Sequence, residues 1–246
     1  VTTVSMGDRF RQYEQATQFT LPRRTYTIMR LDGRGFSLFM RGKALPEEKF
    51  MRVMDLTAEM LCAEISGSVL AYTQSDEISI LIQDFANLNT QPWFGGNIQK
   101  MTSVAAGMAS HHFHAVYNQP GGSLRHTFDA RVFTLSDPVE VANYFVWRQK
   151  DCTRNAIGSL YTKHYGHAAA QDCTTQQRLD RLKEDGMVDL EHFYQQRFLL
   201  GRLTTYDEKC LEESNSTWTR WSSGTAFRFT VAELEPFILT MTLSRS

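Results

Sequence analysis

The chain has 246 residues and a mass of 28.2 kDa, room for one large domain or one domain with an extension, and its 42% hydrophobic and 22% charged content exclude a disordered or fibrous protein. A net charge of −1 excludes a polyanion partner signalled by composition alone, although Arg23, Arg24, Arg30, Arg34, Arg41, Lys43, Lys49 and Arg52 crowd one stretch that can form a basic face. No apolar run approaches the roughly 18–20 residues of a membrane span. Residues 1–6 lack the basic flank and apolar stretch of a signal peptide, and Cys62, Cys152, Cys173 and Cys210 form no C-x-x-C, so a cytoplasmic chain with free thiols and no membrane partner is expected.

Residues 8–19 place Phe10, Tyr13 and Ala16 at helical spacing, with Asp8 as N-cap and Pro22 as the stop. Residues 25–31 are β-branched and aromatic, a predicted buried strand that runs into Asp32, after which Gly33 and Gly35 permit a tight turn with outward amides. Phe50, Val53, Met54, Thr57, Met60, Leu61 and Ile65 recur every three or four residues, so a helix is predicted over 46–65, with Pro46 in its first turn and Gly67 closing it. Residues 68–73 and 78–82 are short apolar strands around Gln74-Ser75-Asp76-Glu77, a hairpin carrying its carboxylates in the turn.

Gly96 or Asn97 opens a long helix to about Tyr117, with Ile98, Met101, Val104, Ala105 and Met108 inward. Pro120-Gly121-Gly122 is a loop. Residues 127–135 alternate as a strand, and Ser136-Asp137-Pro138 is an N-cap with proline at the helix start. Helices are predicted over 139–166 and 174–185, with Gly186 as a stop, and an extra strand over 198–206. Residues 214–224, rich in Ser, Thr and Trp, carry no period, and Trp218 and Trp221 have no role beyond packing or stacking on RNA.

This order contains βαββαβ, so the predicted class is α+β: a ferredoxin-like palm, an antiparallel sheet with helices on one face, followed by a mostly helical C-terminal extension. Residues 1–150 form the palm with its N-terminal helix. Residues 151–246 form an extension packed on the palm rather than an independent domain.

In that order the first strand and the central hairpin are neighbours, so Asp32 and Asp76 can converge at one edge of the sheet. Two carboxylates there suit a pair of divalent cations about 3.5–4 Å apart, the arrangement that clamps an in-line phosphoryl displacement. The Gly33 carbonyl can add a ligand, and Glu77 can ligate directly or orient bound water. The alternative is ordinary turn chemistry for D-G and S-D-E. Lys100, in the first turn of the long helix, can meet a triphosphate or be a solvated lysine. The turn of residues 33–36 can donate amides to phosphate oxygens. His111, His112 and His114 lack further ligands at metal spacing and read as surface or half-buried histidines. His164 and His167 share a helix face without obvious further ligands.

Five blocks then resemble one family: Arg30-Leu31-Asp32-Gly33-Arg34-Gly35-Phe36, Tyr72-Thr73-Gln74-Ser75-Asp76-Glu77, Trp93-Phe94-Gly95 with Lys100, Phe128-Asp129-Ala130-Arg131, and Trp147-Arg148-Gln149-Lys150-Asp151. In order, over residues 7–206, they resemble the tRNA-His guanylyltransferase superfamily, the 3′-to-5′ nucleotide polymerases with a polymerase-like palm. Members that add the extra G to tRNA-His carry His-Ile-Asn-Asn where this chain reads Thr153-Arg154-Asn155-Ala156, and paired arginines where it has Gly96-Asn97. Both departures resemble the guanylyltransferase-like branch of template-directed 5′-end repair enzymes.

The resemblance implies the following expectations. ATP or GTP activates the 5′-monophosphate of a truncated tRNA, and the 3′-hydroxyl of a nucleoside triphosphate then attacks it. Asp32, Asp76 and the Gly33 carbonyl hold two Mg²⁺ ions, with Glu77 as a third catalytic carboxylate. Gly33, Arg34, Gly35, Phe36, Ser75 and Lys100 bind the triphosphate. Arg154 and Asn155 contact the second nucleotide or the RNA 5′ end, and the assembly is a homotetramer. The alternatives are addition of an extra 5′ G to tRNA-His, a palm-type nucleotidyl cyclase, and a non-catalytic RNA-binding module.

Overall fold

The computed structural model describes residues 4–36, 48–117, 126–188, 193–206 and 221–243. Arg41, Lys43, Pro46, the loop at Pro120, Cys210 and Trp218 lie outside them. Strands β1 (Tyr26–Arg34), β2 (Ser68–Gln74), β3 (Glu77–Ile82), β4 (Thr127–Leu135), β5 (Arg202–Tyr206) and β6 (Trp221–Thr225) form one sheet in the order β4-β1-β3-β2-β5-β6, every pair antiparallel. The first four reproduce the ferredoxin-like order, and β5 and β6 extend it beyond β2.

Strand alternation sends successive side chains to opposite faces. Met29, Leu31, Ala71, Ile78, Ile80 and Ile82 face α2 (Glu48–Glu64) and α3 (Ile98–Tyr117), which supply Phe50, Val53, Met54, Leu61, Met101, Ala105 and Phe113 to the same core. Tyr26, Ile28, Leu70, Tyr72 and Leu81 face the other way, against Val141, Ala142 and Phe145 of α4 (Pro138–Ala170) and Leu234 and Ile238 of α7 (Val231–Leu243). α2 and α3 therefore cover one face, and α4 and α7 cover the other. A third cluster packs the second half of α4 against α5 (Thr175–Glu184) and α6 (Phe193–Leu200) through Ile157, Leu160, Tyr161, Leu182 and Leu199.

Several local expectations shift. The first helix, α1, spans Met6–Gln15, and its N-cap is Ser5, whose hydroxyl accepts the Asp8 amide at 3.1 Å. None of its residues is buried, so Phe10 and Tyr13 form no inner face among the described residues. The strand expected over 198–206 is α6 followed by β5. Between them Gly201 sits at φ 75°, where a Cβ would fall 2.5 Å from the Tyr72 hydroxyl oxygen, and that hydroxyl donates to the Leu200 carbonyl at 2.9 Å. Residues 214–224, expected to be irregular, contain β6, and α7 beyond them has no counterpart in the sequence reading. Asp137 caps α4 as expected, accepting the Val139 amide at 2.8 Å, and α4 is one helix kinked at Gly166 (φ 81°, ψ 165°). No described helix is long and apolar enough to cross a membrane.

β5 is anchored by a buried ion pair. Asp55 of α2 accepts from Arg202 Nε at 2.6 Å and also pairs with Arg197. Asp55→Ala leaves two arginines against an apolar wall, and removing one partner of a buried pair costs about 3–5 kcal/mol. Urea unfolding of Asp55→Ala is expected to show a loss of that size, with little change for Asp8→Ala, whose Arg11 partner is exposed.

Candidate active site

The row of side chains that β1 presents toward α4 changes character along the strand, from Tyr26 and Ile28 to Arg30 and Asp32. The facing rows of β2 and β3 do the same, ending in Gln74 and in Ser79 and Glu77. Glu77 is 5% exposed and heads β3, one residue beyond the turn in which it was expected. Arg148 of α4 meets it in a fork, Nε to Oε1 at 2.8 Å and Nη2 to Oε2 at 2.7 Å. Arg30 adds a contact to Oε2 at 2.6 Å, and Gln74 Nε2 donates to Oε1 at 3.1 Å. Burial works against the Arg148 charge, and the Glu77 carboxylate more than offsets it, holding the guanidinium pKa above its ordinary value. Both oxygens are engaged, and these partners hold the Glu77 carboxylate in place beside the aspartates.

The two acidic segments meet beside this pair. Asp32 lies opposite Glu77 in the β1–β3 register, and the Gly33 amide donates to the Asp76 carbonyl at 3.1 Å. A Cβ on Gly33 would fall 2.8 Å from Asp76 Oδ2 and 2.4 Å from the Phe36 ring, so only glycine permits this approach. Ser75, the first of the two turn residues, is held at φ 45°. Burial raises the Asp76 pKa, and the nearby Asp32 and Glu77 carboxylates add to the rise although hydrogen bonds to Asp76 oppose it. Asp76 has no ion-pair partner among the described residues, whereas Asp32 has Arg30 at 3.4 Å and Arg131 at 3.8 Å.

These groups border a cavity of about 280 Å³ that also takes in Arg148, Asp151 and Cys152 of α4 and Phe198 of α6. Burial pushes the Cys152 thiol up to about 11, which removes it as a nucleophile. Asp151 links Arg148, 3.1 Å away, to Arg154.

Of the residues singled out in the sequence, Asp32, Ser75, Asp76, Glu77 and Asn155 line the cavity. Gly33 backs it. Arg34 and Gly35 are exposed at the end of β1, and Phe36 is a core side chain against Phe113 and Phe128, so only its backbone is available to a ligand. Lys100 is exposed in the first turn of α3 and outside the cavity lining. The basic stretch is partly consumed: Arg23 pairs with Asp84, Arg30 with Glu77, and Arg52 lies 3.6 Å from Glu59. His112 is buried 3.0 Å from Glu64, an acidic neighbour that sequence spacing does not reveal. No group of three metal-ligating side chains occurs among the described residues. Arg30, Gln74, Arg148 and Asp151 were not assigned roles in the sequence. A usable signal existed, since Arg148 falls on the buried face of α4 between Phe145 and Cys152.

Residues 7–136 match the family described as tRNAHis guanylyltransferase. The chain belongs to that family. Its members are nucleotidyltransferases. A bacterial tRNA(His) guanylyltransferase-like protein solved in complex with ATP superimposes with a TM-score of 0.79 at 32% identity, over 95% of this chain and 99% of that one. A complex of such a protein with GTP gives 0.72 at 30% identity, over 95% and 98%. The tRNA(His) guanylyltransferase of Debaryomyces hansenii is 31% identical over 156 residues, 60% of this chain and 56% of that protein. The chain spans about half the length of the curated guanylyltransferases it matches.

The donor set fits a hard divalent cation. Two carboxylates and the carbonyl of Gly33 offer oxygen ligands, and Asp76 is a half-buried acid crowded by like charge with no ion-pair partner among the described residues. The raised Asp76 pKa means that the folded state holds this proton more tightly than the unfolded chain does. Stability attributable to the group is full below the unfolded carboxyl value and is lost as pH rises through the folded one. Asp76→Asn is therefore expected to unfold at a higher temperature than the unsubstituted protein at pH 7 without added metal. Calorimetry at stepped pH should find the gap closing below about pH 4.

Proposed function

We propose that this protein is a template-dependent 3′-to-5′ nucleotidyltransferase that restores nucleotides to the 5′ end of truncated tRNA. The observation that carries the reading is the approach of Asp32 and Asp76 across Gly33 at the mouth of the cavity. Related bacterial proteins solved with ATP and with GTP support a nucleotide there. Gly96-Asn97 and Thr153-Arg154-Asn155-Ala156, which depart from the sequences of enzymes that add one untemplated G, favour repair over that activity.

In the first step the 5′-monophosphate of the RNA attacks the α-phosphorus of ATP or GTP and releases pyrophosphate, leaving a 5′-5′ nucleotidyl cap. In the second, the 3′-hydroxyl oxygen of the incoming nucleoside triphosphate attacks the RNA 5′-phosphorus, and AMP or GMP departs. A 5′-triphosphate end skips activation and releases pyrophosphate. Asp32, Asp76 and the Gly33 carbonyl would hold two Mg²⁺ ions, which neutralise charge on the reacting phosphates when bound. Ser75 and the amides of residues 33–36 bind the triphosphate, with Lys100 reaching it from α3. Arg148 and Arg30 hold the Glu77 side chain in a fixed position beside the aspartates. Arg154 and Asn155 contact the RNA end or the second nucleotide.

The protein acts in the cytoplasm as a homotetramer, and residues 151–246 do not fold apart from the palm. Pairing of β5 with β2 and the unbroken run of α4 through residue 150 support that last statement.

The decisive assay supplies a tRNA lacking its 5′ nucleotide and bearing a 5′-monophosphate, with Mg²⁺, ATP and each nucleoside triphosphate in turn. Addition of only the nucleotide complementary to the 3′ half of the acceptor stem is expected, and addition of G whatever the template would establish guanylyltransferase activity instead. Asp32→Ala and Asp76→Ala should each lower transfer by at least about 10³-fold with the circular dichroism spectrum unchanged. Near-full activity in either variant rejects the metal-site assignment. Mg²⁺ should raise the melting temperature of the unsubstituted protein and leave that of Asp76→Ala unmoved.

A further inference from the structure

A second, larger hollow of about 960 Å³ adjoins the first, sharing Asn155 and Ser159 with it. Its floor is α4, where Arg154, Gly158, Thr162 and Lys163 sweep across half of the helix circumference. Its wall is the start of α5, with Thr174, Thr175 and Arg178. A polar helix face is usually only a solvated surface. Three observations distinguish this one.

First, no carboxylate is among the lining residues, and residues 152–171 contain none at all, while Arg154, Lys163, His167 and Arg178 all border the hollow. Second, Arg178 is held in the wall by donating Nη2 to the Ala170 carbonyl, yet its Nε is buried and has no hydrogen-bond partner among the described residues. No carboxylate pairs with this guanidinium among the described residues, so its positive charge is available to an anion in the groove. Third, Gly158 brings the floor close to this guanidinium: a Cβ there would stand 3.7 Å from Arg178 Nη1, in ordinary contact, so the arginine lies directly along the groove.

We infer that this groove is the track for the phosphate backbone of the RNA strand whose end enters the active site. The inference rests on the proposed activity for its choice of ligand. Cationic side chains spaced along a groove that opens into a catalytic cavity suit a strand's phosphates. From Arg154 to Lys163 the helix advances about 13 Å, a reach that favours a chain of phosphates over a single triphosphate. Lys163 has no carboxylate partner among the described residues. Arg154 is paired with Asp151 at the cavity edge, and Arg23, Arg30 and Arg52 in the N-terminal basic stretch are likewise paired or close to carboxylates, so the charge left to the groove is that of Lys163 and Arg178.

The test uses the full chain and a labelled RNA hairpin with a 5′-monophosphate and a single-stranded 3′ end, titrated at several salt concentrations. ATP affinity is measured separately by equilibrium dialysis. Lys163→Glu is expected to weaken RNA binding about tenfold at 0.1 M salt and to reduce the slope of log K against log salt by about one. Arg178→Gln is expected to act in the same direction, and both should leave ATP affinity within about twofold of its original value. Unchanged RNA affinity and slope in Lys163→Glu, whose exposed side chain makes misfolding no explanation, overturns the inference. A parallel loss of ATP affinity also overturns it, making the groove a nucleotide site. If the unsubstituted protein binds the hairpin but extends no RNA, while Lys163→Glu still loses binding, the transfer activity is rejected and the groove assignment stands.

Discussion

The charged end of the sheet, where the candidate site lies, depends on one buried carboxylate. Glu77 has lost nearly all its water, and an isolated charge there would be prohibitive. The forked contact from Arg148, the second cation of Arg30 and the amide of Gln74 compensate it. The geometry has a structural result as well as an electrostatic one. Arg148 reaches Glu77 across 71 residues of sequence, fixing α4 against the sheet where apolar packing gives way to charge. A hydrophobic substitute of equal volume would serve packing as well or better. What it could not supply is a fixed alternation of charge running from Arg154 through Asp151, Arg148, Glu77 and Arg30 to Asp32.

Against that rigid background Asp76 is the unbalanced member. It is crowded by Asp32 and Glu77, half-buried, and carried on a turn whose first residue has an uncommon positive φ. Such features are expected where stability has been traded for chemistry. The close approach across Gly33 explains why the acidic segment carries glycine directly after its aspartate. Any side chain there would separate the two carboxylate-bearing segments.

The palm was legible because its signals are local. Alternation over 127–135 matches β4 at both ends, the aspartate before Pro138 caps its helix, and the two acidic segments fall at strand ends that topology must bring together. The later strands were not legible, since β5 and β6 are five residues each and derive their pairing from β2 rather than from their own pattern. Residues 198–200, the end of α6, suit strand as well as helix because their apolar run is short, and only the contact of Gly201 with Tyr72 marks the break before β5. In the site, the aspartates were found and the arginines were not. A carboxylate at a turn announces itself by position, whereas the roles of Arg30 and Arg148 exist only through a partner distant in sequence. The basic stretch near Arg23 misled for the same reason, as its apparent surplus of charge is partly cancelled by Asp84, Glu77 and Glu59.

α4 performs three tasks along a single rod. Its first turns seat the sheet through Val141 and Phe145, its middle carries Arg148 and Asp151, and its far half floors the outer groove. Adding or deleting one residue between Arg148 and Arg154 would turn everything downstream by about 100°, swinging the groove out of line with the catalytic cavity while leaving each half intact. The length of this segment, more than the identity of any one side chain on it, therefore fixes how the outer groove and the inner cavity line up.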